Sequence, residues 1–360
     1  MNNSTRPLNV CLVSAAYRPY PSGVSEHVHH LACELHKLGH KVRVLTTNFA
    51  GPTEPAGPFP VTRMGRALLI PMNQSYATLP VGIGIPVMVP KFIRRHNFDI
   101  IHCHGIFPPE ISYWALVGTR VRAAVTFHTY GRLPAEPILK AFRTMFAGLN
   151  HRIAARIAVS KAGAAFAGRL FPGRFHIIPN GVDLDRFCPT APVPAVMAGH
   201  QPNILYVGRL DERKGLPVLL RAMPRVVATV PSVRLFAVGH GRLEAECRKL
   251  AQELNIADNV VFVGRARSEE LSGYYAGCTV YVSPALGGEA MGIVLVEALA
   301  CGRPVIASSI PGYDEVVQDN VNGILVPPGQ TEPLANAVIR VLTSPDLQAR
   351  LSARAIERAQ

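Results

Sequence analysis

The chain has 360 residues, 48% of them apolar, which is ample for two globular cores of ordinary size. Its longest apolar stretches, such as Leu79 to Val89, are cut by Pro and Gly and fall short of the roughly 20 residues of a spanning helix, so no transmembrane segment is expected. The formal charge of +13 lies wholly in the first half: from Met1 to Phe187, 21 Lys and Arg stand against 8 Asp and Glu, while the remainder has 16 against 16. The basic residues are dispersed, aromatics are only 7%, and no recognition motif appears, which argues against nucleic acid. An anionic membrane surface or a phosphate-bearing acceptor accounts better for the asymmetry, against the plainer reading of a basic, soluble surface. The opening MNNSTRPLNVCLVS lacks the pattern of a signal peptide, so cytoplasm is the default expectation. Seven cysteines, scattered and never spaced C-x-x-C, read as reduced small hydrophobes.

In chain order, short apolar runs alternate with helical patterns. The first half predicts a strand at Asn9 to Ser14, a helix from about Val24 to Leu38 closed by Gly39, and a strand at Lys41 to Thr46. Asn48 to Pro71, rich in Gly and Pro, reads as a long loop. Strands follow at Asp99 to Cys103, Ala123 to Phe127, Ile157 to Val159 and His176 to Ile178. The segment Cys188 to Pro202, with four prolines and no period, reads as a linker. The rhythm restarts with strands at Asn203 to Val207, Arg234 to Val238, Val260 to Val263, Val280 to Ser283 and Pro304 to Ala307, and a last helical pattern runs from about Pro345 to Gln360. The expected architecture is α/β: two doubly wound, Rossmann-like domains, 1–187 and 203–360, joined by 188–202 and facing across a ligand cleft.

Several motifs fall at strand ends, where open α/β sheets bind ligands. The turn YPSGV lets Gly23 bring backbone N–H groups toward a diphosphate, or is a simple tight turn. His128 in TFHTYGR follows directly on a strand; at that place it is as readily structural as functional. His102 and His104 in HCHG share a strand face, but with no carboxylate near them a metal site is not expected. In YVGRLDERKG, Arg209 leaves a strand end and Lys214 precedes a helix, so two cations converge on a leaving diphosphate or stand as solvated charge. In GGEAMGIVLVEALACG, three glycines admit a ligand, a helix starting near Gly292 aims its N–H groups at a phosphate, and Glu289 and Glu297 accept from hydroxyls, Glu297 from two turns inside the helix. Alone, E-x7-E would read as one face of an amphipathic helix; its surroundings favour a sugar nucleotide.

Together, SGVSEHVHHLACELHKLGHKV, PMNQSYATL, FDIIHCH, TFHT, IAVSKA, IPNGVD, VGRLDERKGLPVLL and GGEAMGIVLVEALACGRPVIAS resemble the retaining glycosyltransferases of the GT-B fold, family 4, and within them the bacterial phosphatidyl-myo-inositol mannosyltransferases. The resemblance spans nearly the whole chain. It implies a nucleoside-diphosphate sugar donor, GDP-mannose first, a lipid or polyprenyl acceptor at the inner face of the plasma membrane, front-face chemistry with retention, and neither metal nor other cofactor. By it Gly208, Arg209 and Lys214 hold the donor diphosphate, Glu289 meets the transferred sugar and Glu297 the ribose. His128 lies beside the anomeric carbon, Gly23 nears the phosphates, and Gly292, Ile293 and Val294 form the helix start under them. Tyr17, Ser25, Asn73, Ser75 and Thr78 fall on the acceptor side.

The departures concern that side. Where the inositol-lipid enzymes have a double glycine followed by valine and glutamine, this chain has Ser22, Gly23, Val24 and Ser25, and where they carry an arginine near the lipid phosphate it has Thr78. Their strongly basic helix is diluted to VMVPKFIRRH, with Pro90 inside it and only Lys91, Arg94 and Arg95 charged. A transferase with a soluble acceptor, a nucleotide-sugar epimerase, and a non-catalytic membrane-surface module that binds a nucleotide sugar stay open as alternatives.

Overall fold

The computed structural model of the chain describes residues 6–20, 22–49, 57–72, 75–82, 84–106, 110–131 and 135–360. It divides into two compact units, Met1–Asn180 and Gly181–Gln360. Residues 188–202 belong to the second, where Met197 is buried and the Pro192 carbonyl lies against Gly273.

The first unit runs β1 (Asn9–Ser14), α1 (Gly23–Lys37), β2 (Lys41–Asn48), β3 (Val61–Met72), β4 (Ser75–Val81), α2 (Ile85–Arg95), β5 (Ile100–His104), α3 (Ile111–Gly118), β6 (Ala123–Phe127), α4 (Glu136–Asn150), β7 (Ile153–Ala158), α5 (Lys161–Gly168) and β8 (Phe175–Ile177). Its sheet has the order β4-β3-β2-β1-β5-β6-β7-β8. The pairs are parallel except β3 with β4. β1 shows why its strands read as unbroken apolar runs. Val10 and Leu12 face α1 through Val28 and Ala32, while Cys11 and Val13 join the opposite layer with Ile101, Val125, Ile111 and Phe146. A strand covered on both faces has no polar side. α1 starts where Ser22 accepts from the Ser25 N–H at 3.0 Å, and Gly39 turns left-handed, φ +87°, just past its end.

One expectation is overturned here. Asn48 to Pro71 is not a loop throughout: Val61–Met72 is a strand, parallel to β2 from Val44↔Val61 and antiparallel to β4 from Arg66↔Val81 to Met72↔Ser75. Proline and glycine misled because β3 and β4 form the hairpin at the sheet edge. There Pro80 needs no outer partner, and Gly65, at φ +67°, accompanies a register shift.

The second unit runs β9 (Asn203–Val207), α6 (Leu216–Thr229), β10 (Arg234–Val238), α7 (Glu244–Glu253), β11 (Val260–Gly264), α8 (Leu271–Gly277), β12 (Val280–Ser283), α9 (Ile293–Ala300), β13 (Val305–Ser308), β14 (Gly323–Val326), α10 (Thr331–Leu342) and α11 (Pro345–Ala359). The sheet is wholly parallel, in the order β11-β10-β9-β12-β13-β14. β14, only GILV, was not expected from sequence. Chain order reverses between β9 and β12 here, and between β1 and β5 in the first unit. At such a switch point the loops leaving the two strands part and open a crevice at their carboxyl ends. The glycine-rich turns and the histidines lie at these two places.

Candidate active site

In the second unit two loops meet at the switch point. Leaving β9, Asp211 caps the short turn Glu212–Lys214, its Oδ1 accepting from the Lys214 N–H at 3.2 Å. Gly215 then enters α6 left-handed, φ +73°, so close to the Pro284 carbonyl that no side chain would fit. Leaving β12, the Leu286 N–H donates to the Arg213 carbonyl at 2.8 Å and ties the loops together. The result is a triplet around a buried carboxylate, its two cations part-buried. Lys214 Nζ and Arg213 Nη1 each lie 2.8 Å from Glu289 Oε1, and Arg213 also donates to the Gly288 carbonyl. Glu289 is only 8% exposed. Removing three charges from water costs several kcal/mol per ion, so the cluster sets the direction of the carboxylate more than it adds net stability.

Arg209 stands beside this triplet, its Nη2 3.0 Å from Asp211 Oδ2. Gly208 donates its N–H to the Val238 carbonyl at 3.0 Å, so that N–H is already engaged within the fold. Gly292, φ +78°, precedes α9 with the Tyr313 ring against it, and Ile293 and Val294 open the helix. Glu297 differs from its expected place. It is five residues past Gly292, little more than one turn into α9, and its Oε2 accepts from the Tyr275 hydroxyl at 2.8 Å. It is therefore an aimed group, not a solvated face. Sequence reasoning missed Arg213 because nothing local separates it from Glu212; its partners are 75 and 76 positions away.

In the first unit, Gly23 opens α1, and His128 follows β6 into a histidine cluster. His104 Nδ1 lies 3.0 Å from His128 Nε2, and the ring of His27, from the second turn of α1, sits 5.4 and 5.0 Å from theirs. His102 stacks on His104 at 4.4 Å and bonds Thr126 Oγ1 at 2.7 Å. Burial, seconded by neighbouring imidazoles, pushes His27 and His102 down to about 4 and His104 and His128 well below the usual imidazole range. Burial thus favours the uncharged form of all four rings, which can hydrogen-bond without carrying a charge.

Among the acceptor-side residues, Tyr17 is in the packed interior with its hydroxyl 3.0 Å from His29 Nδ1, and burial raises its pKa. Ser25 is fully buried, and its Oγ has no partner among the described residues. Asn73 lies outside the described residues. Ser75 and Thr78 are in β4, opposite Met72 and Leu69. α2 presents one outward face of Val87, Met88, Lys91, Arg94 and Arg95 and buries Ile85, Val89, Phe92 and Ile93; its Pro90 packs against Gly118 of α3. No helix among the described residues is long and apolar enough to cross a membrane.

Comparison with known proteins agrees with this arrangement. Residues 21–186 match the model described as Glycosyltransferase Family 4, and 195–358 match Glycosyl transferases group 1. The phosphatidyl-myo-inositol mannosyltransferase of Mycolicibacterium smegmatis is 36% identical over 341 residues, covering 94% of this chain and 86% of its own. The GDP-mannose-dependent alpha-(1-6)-phosphatidylinositol monomannoside mannosyltransferase of Mycobacterium tuberculosis is 27% identical, covering 94% and 90%. Among solved structures, the sucrose-phosphate synthase of Thermosynechococcus elongatus superposes with a TM-score of 0.77 at 27% identity, covering 98% and 94%. With two parallel-sheet Rossmann-like units, the family motifs at their switch points and this degree of identity, the chain belongs to the family 4, group 1 glycosyltransferases of the GT-B fold.

Proposed function

We propose that this glycosyltransferase moves a mannosyl group from GDP-mannose to a phosphatidylinositol-type lipid, with retention of anomeric configuration. The observation that carries the reading is the Lys214–Glu289–Arg213 triplet beside Arg209 and the start of α9. Cations and helix N–H groups suit charge growing on a leaving diphosphate, and each such preorganised donor is typically worth about 3 kcal/mol in the transition state. Both cations of the triplet hold Glu289 Oε1, which leaves Oε2 to accept from a sugar hydroxyl. Glu297, steadied by Tyr275, suits a ribose. Front-face attack, with the leaving phosphate taking the acceptor proton, asks for no protein nucleophile. The engagement of both carboxylates supports that course. The relatives' names support mannose, GDP and an inositol lipid.

The direct test supplies a panel of nucleoside-diphosphate sugars together with a membrane lipid extract, and NMR reads the anomeric coupling of the product. Transfer from GDP-mannose to lipid with α linkage is expected, unchanged in EDTA. Complete loss in EDTA, restored by Mg2+ or Mn2+, would count against the mechanism. Donor consumed without a lipid product would move the reading to a transferase with a soluble acceptor or to an epimerase, which the departures at Ser25 and Thr78 permit.

The outward face of α2 supports action at an anionic membrane surface, on the cytoplasmic side. Basic side chains near anionic lipid contribute on the order of 1 kcal/mol each, and exposed Val87 and Met88 add apolar contact. Neutralising Lys91, Arg94 and Arg95 together is expected to weaken binding to vesicles of about 30% anionic lipid by roughly ten- to a hundredfold. Cosedimentation at two salt concentrations checks it. Equal recovery with neutral vesicles and no salt response would refute the electrostatic part.

A further inference from the structure

We propose that His27, His104 and His128 form a binding site for one late first-row divalent ion of the zinc, cobalt and nickel class, at the carboxyl ends of β5 and β6. Sequence reading had only His102 and His104, alternate residues of one strand. The fold brings a third imidazole from α1. One ring nitrogen from each of the three lies within 4.8 Å of the others, and the ring centroids form a nearly equilateral triangle of 5.0, 5.3 and 5.4 Å.

The chemistry of the donor set selects the ion. A neutral imidazole offers one ring lone pair to a metal, so the three rings supply three nitrogen donors. An all-nitrogen set suits zinc, nickel or copper and not magnesium, calcium or manganese, which take oxygen ligands. Between His104 Nδ1 and His128 Nε2, 3.0 Å apart, one proton at most is shared, and His104 Nε2 is buried with no partner among the described residues. Nitrogens each about 2.0 to 2.1 Å from a tetrahedral zinc stand about 3.4 Å apart, so this pair has to open by only a few tenths of an ångström. His27 and His128 are part-exposed, which leaves a fourth position for water or an anion. His102, bonded to Thr126 and stacked on His104, steadies that ring from behind. The consequence rests on the proposed function: the ion takes the lone pair of the histidine beside the transferred sugar, so metal loading and transfer compete. Activity in EDTA is compatible with this, because the site is inhibitory and not catalytic.

The full chain, stripped with chelator and desalted, is titrated with Co2+, and visible d–d absorption and calorimetric stoichiometry are read in parallel. One equivalent is expected, with the absorption of a four- or five-coordinate ion. His27→Gln and His104→Gln should weaken binding by at least the roughly tenfold that loss of an outer-shell partner costs. His30→Gln, on the same helix with a side chain 41% exposed, should bind as the parent does. Circular dichroism and thermal unfolding check each variant; if His104→Gln does not fold, His27→Gln decides. No stoichiometric binding by the parent, or parental binding by His27→Gln, overturns the proposal, and loss with His30→Gln alone identifies an adventitious surface ion. None of these readouts involves a sugar, so failure of the transferase reading is separately visible.

Discussion

Lys214→Ala and Arg209→Ala should each lower turnover by about a hundredfold or more, with the fold retained. Each removes a fixed donor to the departing phosphate, and losing one such donor typically costs about 3 to 4 kcal/mol of transition-state stabilisation. The two variants differ in what they leave behind. Arg209→Ala leaves Asp211, the cap of the turn, without its ion pair, whereas Lys214→Ala leaves Glu289 held by Arg213 alone. Both should therefore lower kcat, and Lys214→Ala should also disturb sugar preference through Glu289. Arg213→Ala separates the effects: it leaves the carboxylate held by Lys214 alone, with both expected phosphate contacts in place. Steady-state kinetics with the best donor of the panel gives the answer. Near-parental turnover for either Lys214→Ala or Arg209→Ala would sink the assignment of the diphosphate site.

Gly292→Ala should lower the unfolding temperature of the second unit by about 5 to 10 °C and greatly reduce turnover. The backbone at Gly292 is left-handed, φ +78°, which costs a residue with a Cβ about 1 to 2 kcal/mol. The added carbon also runs into the ring of Tyr313, which is fully buried and bonded to Ser283 Oγ at 2.9 Å, so it has nowhere to retreat. Overpacking of this kind costs about 1 to 3 kcal/mol, and for a body of this size each kcal/mol moves the midpoint by roughly 2 to 4 °C. Relief of the strain by tilting α9 would displace the N–H groups of its first turn, and turnover would fall with it. Calorimetry and kinetics on one preparation test both halves. A midpoint within about 1 °C of the parent would show that the turn tolerates a side chain.

Much of this was legible in the chain. Parallel strands covered on both faces appear as unbroken apolar runs, so β1, β6, β9, β10 and β12 were placed to the residue, and the starts of α1 and α9 followed from local capping and glycine chemistry. The hairpin β3–β4 was hidden because its prolines and glycine are tolerated only at an edge, and nothing in a local window says which strand is the edge. The motif positions also carried the family, and with it the enzyme class.

The partners of the charged and titratable groups were decided by the fold alone. Residue type and local spacing put Lys214 near a strand end and Glu289 in a glycine-rich loop; that the two are joined, with Arg213 between Glu289 and the Gly288 carbonyl, follows from β9 and β12 being neighbours in the sheet. Tyr275 under Glu297 and His27 against His104 and His128 arise in the same way. Local sequence governs backbone dihedrals, caps and the side of an element that is buried, because those depend on neighbours within a turn or a strand. Pairings across 22, 76 or 77 positions depend on which strands lie side by side, and a side chain meets such a partner only once the sheet has set its order.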